Sequence, residues 1–167
     1  PLYETSFLRK GRFSYESDTI RIEGVQTMRD IFAVLVGWIV GMAANMAFVF
    51  LSVALYPMPE GITFNNKEGF AAYIETLPLT AFLIVLVAHV SQAFFGGLAA
   101  AKISKKRRVT VAMIIGVLSL IGGYINMQSI PLPTWMWIEM PLYLVFAWLA
   151  AYLVIAYDRK KNRVQHI

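Results

Sequence analysis

The chain has no cysteine. That excludes structural disulfides, thiolate metal sites and thiol redox chemistry within its 167 residues. It also has no Walker loop, no dinucleotide fingerprint and no Ser/His/Asp arrangement of the kind that carries nucleophilic catalysis. Charge is absent from whole stretches, and the segment between the last two apolar blocks contains none. The apolar blocks lack period-two alternation and are too long for strands. No apolar h-region precedes the first block, so residues 1–30 are not expected to act as a signal peptide.

What the chain has instead is apolar length. Hydrophobic residues make up 58% of it, with a mean hydropathy of +0.60. Soluble domains hold about 45–50% apolar residues. Four blocks are long enough to cross a hydrocarbon core of about 30 Å at about 1.5 Å per residue. They are read as spans over 31–56, 79–101, 109–127 and 135–157. The expected fold is an all-α membrane protein, four transmembrane helices in a compact bundle. Pro57 and Pro59 stop the first span, and Pro78 precedes the second.

The net charge of +5 matters less than its placement. Lys102, Lys105, Lys106, Arg107 and Arg108 fill the loop between spans two and three. Arg159, Lys160, Lys161 and Arg163 lie in a basic tail over 158–167, and Arg29 precedes span one. The loop between spans one and two has only Lys67, set against Glu60 and Glu68. By the positive-inside rule both termini are expected to be cytoplasmic. Trp135, Trp137 and Tyr143 then start span four at the outer surface. Lys105, Lys106, Arg107 and Arg108 read as a topology signal that meets anionic lipid headgroups, not as a nucleic-acid site.

Two segments lie outside the spans. KEGFAAYIETL, residues 67–77, places Phe70, Tyr73, Ile74 and Leu77 at helical spacing, so a short amphipathic helix is expected on the outer surface. The arm over residues 1–30 alternates apolar and polar residues in RFSYES and TIRIEG and is read as a cytoplasmic hairpin or extended segment.

Small residues recur on one face of three spans. Gly37 and Gly41 form a GxxxG motif, with Asn45 on the same stripe. Span two has His89, Ala93 and Gly96, and span three has Gly116, Ser119, Gly123 and Asn126. Such faces let helix backbones approach closely in lipid. His89 lies about 15 Å below the outer end of its span, and Asn45 about 21 Å above the inner end of its own. Asn45, His89, Gln92 and Asn126 are therefore candidates for an intramembrane polar seam or ligand site, with His89 opposite Asn45 and one turn above Gln92. The seam is favoured over a proton or ligand role, and ligation of haem or a pigment by His89 is the weakest alternative. No metal site and no cofactor are expected, because no second ligand accompanies His89 in the spans. Glu75 and Glu139 are read as outer-surface acids. They could form an acid/base pair, but solvation or a bond to helix N-terminal amides is favoured.

The strings DIFAVLVGWIVGMAANM, YPMPEGI, FLIVLVAHVSQAFFGGLAAAKIS and GVLSLIGGYINMQSIPLPTWMWIEMPLYLVFAWLA carry a resemblance. Over residues 29–155 the chain resembles a family of small, uncharacterised four-span inner-membrane proteins of Bacteroidetes-type bacteria. The resemblance implies a multi-pass protein of the bacterial inner membrane and carries no activity. With tiny loops and no catalytic constellation, the leading expectation is a non-enzymatic accessory subunit that binds other integral membrane proteins. The alternative is a small transporter or ligand-binding bundle using His89, Asn45 and Gln92.

Overall fold

A computed structural model gives the backbone of residues 2–63 and 65–164, with side chains described from residue 23 onward, Lys67 excepted. Its elements are α1 (Leu2–Leu55), α2 (Lys67–Thr76), α3 (Leu79–Ile103), α4 (Arg108–Ser129), a 3-10 turn (Thr134–Ile138) and α5 (Glu139–Val164). No strand occurs among the described residues. Four helical stretches are long and apolar enough to cross a membrane: Glu23–Leu55, Leu79–Ile103, Arg108–Ser129 and Thr134–Val164. Those are the marks of a helical, multi-pass membrane protein.

Proline sets most of the boundaries. α1 ends two residues before Pro57. α2 stops at Leu77, held extended at ψ 137° by the ring of Pro78. α4 runs out just before Pro131, and Pro133 precedes the 3-10 turn. Pro141 is tolerated inside α5 because it falls in the first turn, where no backbone N–H is needed. Asn66 caps α2, its side chain accepting from the Gly69 N–H at 3.0 Å.

The N-terminal arm differs from the hairpin or extended segment expected for it. Residues 23–30 continue α1 without a break. The Gln26 amide donates to Asp30 at 2.6 Å, and the Arg29 guanidinium donates to Gln26. Those i,i+4 and i,i+3 spacings are helical contacts, and they outweigh an alternation that rests on few residues. The side chains of residues 1–22, where most of that alternation lies, are outside the described residues.

α3 is the centre of the bundle. It packs against α1, α4 and α5, and more of it is buried than of α1. α1 lies on the outside, against α3, and touches α4 far less. Glycine makes the α1–α3 approach close. A Cβ on Gly37 would stand 2.6 Å from the Gly96 carbonyl oxygen, and one on Gly41 would stand 2.5 Å from that of Gln92. No side chain fits at those distances. Gly116 abuts Ala147 of α5 in the same way, and Gly123 accommodates the ring of Tyr143.

The two ends of the bundle are tied differently. At the basic end, Asp30 and Ser104 are buried, and the Ser104 hydroxyl donates to the Asp30 carboxylate at 2.7 Å. Arg107 stands 4.0 Å from the same carboxylate, and Arg108 pairs with Asp158 at 2.5 Å. The middle of α1 at Asp30, the α3–α4 loop and the end of α5 therefore share one side. At the other end, Ile74 of α2, Phe82, Met127 and Met136 form a buried apolar cluster. The Tyr73 hydroxyl donates to the Tyr56 carbonyl at 2.7 Å and joins α2 to the end of α1. Desolvation raises that phenol above its usual range.

Candidate functional site

Three helices and the start of a fourth bring polar side chains together in the interior. His89 on α3 is 7% exposed and Glu139, the first residue of α5, is 0% exposed. His89 Nδ1 lies 2.8 Å from Glu139 Oε2. The other ring nitrogen, Nε2, has Asn126 Nδ2 of α4 at 3.5 Å. A ring held firmly at Nδ1 and loosely at Nε2 has a fixed orientation and one weakly engaged nitrogen.

Asn45 is not the partner of His89. Its amide donates to Gln92 Oε1 at 2.6 Å, one turn further along α3. The expected His89–Asn45 bond is therefore replaced by two separate pairs, His89 with Glu139 and Asn45 with Gln92. The reason lies in the bundle order. α1 and α5 flank α3 on different sides, so a histidine one turn from Gln92 faces α5 and α4 while Gln92 faces α1.

Glu139 is not at an outer surface. Met136, one turn ahead of it, is 0% exposed in the apolar cluster with Ile74, Phe82 and Met127. The 3-10 turn thus dips into the bundle and carries the start of α5 beneath an apolar plug. Phe82 and Val85 precede His89 by two turns and one turn, so the plug also lies between the imidazole and the α2 end. Glu75 is exposed on α2. One carboxylate in solvent and one in the core do not make an acid/base pair.

A cavity of about 320 Å3 adjoins the polar groups. Its walls include Asn45 and Trp38 of α1, His89 and Gln92 of α3, and Ser119 and Asn126 of α4. Met42, Ile121 and Ile125 also line it and are themselves exposed on the outside of the bundle. The cavity therefore opens sideways, through the gap between α1 and α4, at the level of the apolar spans.

Two polar atoms of the residues that line it are buried without a partner: Asn45 Oδ1 and Ser119 Oγ, on residues 9% and 4% exposed. Ser119 differs from two other helical serines. Ser91 and Ser129 donate to backbone carbonyls of their own helices at 2.7 and 2.8 Å. Ser119 has that option and leaves it unused. Glu139 Oε1 is also buried and unpartnered, behind the histidine. A buried polar atom with no partner costs about 1–3 kcal/mol, so these positions are where a bound molecule gains most.

The remaining sites read from sequence fall elsewhere. Lys105, Lys106 and Arg107 are exposed at the basic end, whereas Arg108 is half-buried against Asp158. Among the described residues, no three His, Asp or Glu side chains gather as a metal site would require. Sequence reasoning missed the buried carboxylate of Asp30. The Gln26–Arg29–Asp30 spacing was the available signal.

No protein-family model, no curated protein and no solved structure matches this chain.

Proposed function

We propose that this is a ligand-binding membrane bundle: a multi-pass protein of a bacterial inner membrane, of the small four-span kind it resembles, that holds a small molecule within the bilayer. Both termini lie in the cytoplasm, and α2 lies on the outer surface. One observation carries the reading, namely the cavity lined by His89, Asn45, Gln92 and Asn126, with unpartnered buried oxygens on Asn45 and Ser119. A helix-packing seam would satisfy its polar atoms internally, since an orphaned group weakens the packing it is meant to support. The Glu139 carboxylate supports the reading by fixing the imidazole at Nδ1, so the ring stays oriented whether the site is filled or empty.

The test is direct. Protein purified in mild detergent is extracted, and its small molecules are compared by mass spectrometry with those from a Gly122→Phe variant. A Cβ on Gly122, at the cavity mouth, meets nothing within 4 Å, so a larger side chain there fills the opening without disturbing helix packing. A compound enriched with the native chain and lost from the variant is expected. Identical extracts would sink the reading.

A second reading keeps the accessory subunit that binds other membrane proteins. It draws on α1, which packs mainly on α3 and leaves Phe32, Leu35, Ile39 and Phe50 exposed. A stable lone monomer by native mass measurement in mild detergent counts against it.

A further inference from the structure

We propose that the cavity takes a neutral, membrane-dissolved lipid alcohol, bound by its hydroxyl and entering sideways between α1 and α4. The proposal deepens the ligand-binding reading and rests on it.

Charge excludes most other lipids. No Lys, Arg, Asp or Glu lines the cavity. The described cations gather at the basic end of the bundle: Arg29 one residue before Asp30 on α1, Lys102 to Arg108 from the end of α3 to the start of α4, and Arg159 to Arg163 at the end of α5. A phosphate or carboxylate in the cavity would be a buried anion with no counter-charge, which membrane interiors tolerate poorly. The Glu139 carboxylate stands behind the histidine and is not among the lining residues, so a cationic headgroup finds no counter-charge on the wall either.

Hydrogen-bond chemistry then selects among neutral ligands. The Asn45 amide nitrogen is spent on Gln92, which leaves Asn45 Oδ1 as a bare acceptor. That atom can be satisfied only by a donor. Ser119 Oγ, unpartnered on the facing helix, can donate or accept. A hydroxyl meets both needs: its proton goes to Asn45 Oδ1, and its oxygen accepts from Ser119. A ketone, ester or ether has no proton for Asn45.

Shape agrees. About 320 Å3 is at the low end of the range of ligand pockets, roughly 300–1,000 Å3. It holds a hydroxyl and the first part of a chain, and the side opening leaves the rest among the lipid tails. Gly122 forms part of that opening. No packing contact requires a glycine there, and an alanine would favour the helix by about 1 kcal/mol. Bare backbone at the mouth is accounted for if a chain passes over it.

The test uses the full chain in lipid nanodiscs and a long-chain alcohol carrying a diazirine near its hydroxyl end. After irradiation, adducts are mapped by mass spectrometry. Unlabelled hexadecanol, its methyl ether and its phosphate ester are used as competitors. Adducts are expected on residues 38–45 and 118–126. Hexadecanol should suppress them, and the ether and the phosphate ester should each need about tenfold more or worse. Asn45→Leu should bring alcohol and ether to parity, and Gly122→Phe should remove the cavity adducts without lowering the melting temperature. If the ether or the phosphate ester competes as well as the alcohol, the ligand class is wrong while the site stands. If adducts spread unsaturably along the exposed face of α1, with no competition, the binding site itself is refuted.

Discussion

Replacing His89 by leucine strips Glu139 Oε2 of its 2.8 Å partner in a place where Oε1 already has none. The carboxyl group is 0% exposed, so water does not take over. Breaking a buried ionic pair from one side costs about 3–5 kcal/mol, and leaving a neutral buried group unsatisfied about 1–3. His89→Leu is therefore expected to destabilise the bundle by about 3 kcal/mol. Glu139→Leu leaves the imidazole Nδ1 bare and should cost about 2 kcal/mol by the same argument. The double replacement leaves neither orphan and bears only the repacking cost. The sum of the two single effects, about 5 kcal/mol, should then exceed the effect of the double replacement by everything except the repacking cost. Reversible unfolding in mixed micelles by added dodecyl sulfate, followed by circular dichroism, measures all four proteins. Hydrogen bonds between membrane helices average only about 0.6 kcal/mol, because partners are found in the unfolded state as well. A coupling at or below that value would mean that the apolar plug of Ile74, Phe82, Met127 and Met136 does not seal the pair, and the burial argument would fail.

Three further outcomes are expected. Gly96→Leu should cost about 1–3 kcal/mol or more, since even a Cβ there would stand 2.8 Å from the Gly37 carbonyl oxygen and 2.9 Å from Ile115; an unfolding midpoint equal to the native one would mean α1 is not held against α3. Asp30→Ala removes the partner of the fully buried Ser104 hydroxyl, so trypsin should cut faster at the exposed Lys105, Lys106 and Arg107; an unchanged rate would show that the bond does not hold this loop. For orientation, a membrane-impermeant maleimide should label Asn65→Cys on intact cells and Lys106→Cys only after lysis, with no native cysteine to interfere; the reverse pattern would invert the topology.

The spans were legible because apolar length is a one-dimensional property, and prolines 57, 78 and 131 punctuate it. The small-residue stripes were legible too: Gly37, Gly41, Gly96, Gly116 and Gly123 share faces by helical spacing alone. Their positions say that neighbours come close, not which neighbours they are. That gap is why helical spacing sets His89 opposite Asn45, when its partner is Glu139, fifty residues away along the chain. Depth misled in the same way. Its position at the start of a span puts Glu139 at the outer surface, and nothing in TWMWIEM says that a 3-10 turn sinks Met136 into a cluster with Ile74 of α2. The unpartnered oxygens of Asn45 and Ser119 could not be read from sequence at all, because a missing hydrogen bond is a property of the assembled walls.

The gap between α1 and α4 faces the hydrocarbon, not the water. A molecule that enters there is sampled at its concentration in the membrane, a volume far smaller than the suspension around it. Its half-saturation point is then a mole fraction of lipid. Doubling the lipid at fixed protein and fixed ligand should halve the effective dose, while doubling the buffer changes nothing. Occupancy in a cell would accordingly follow the composition of the bilayer and respond to any process that alters it.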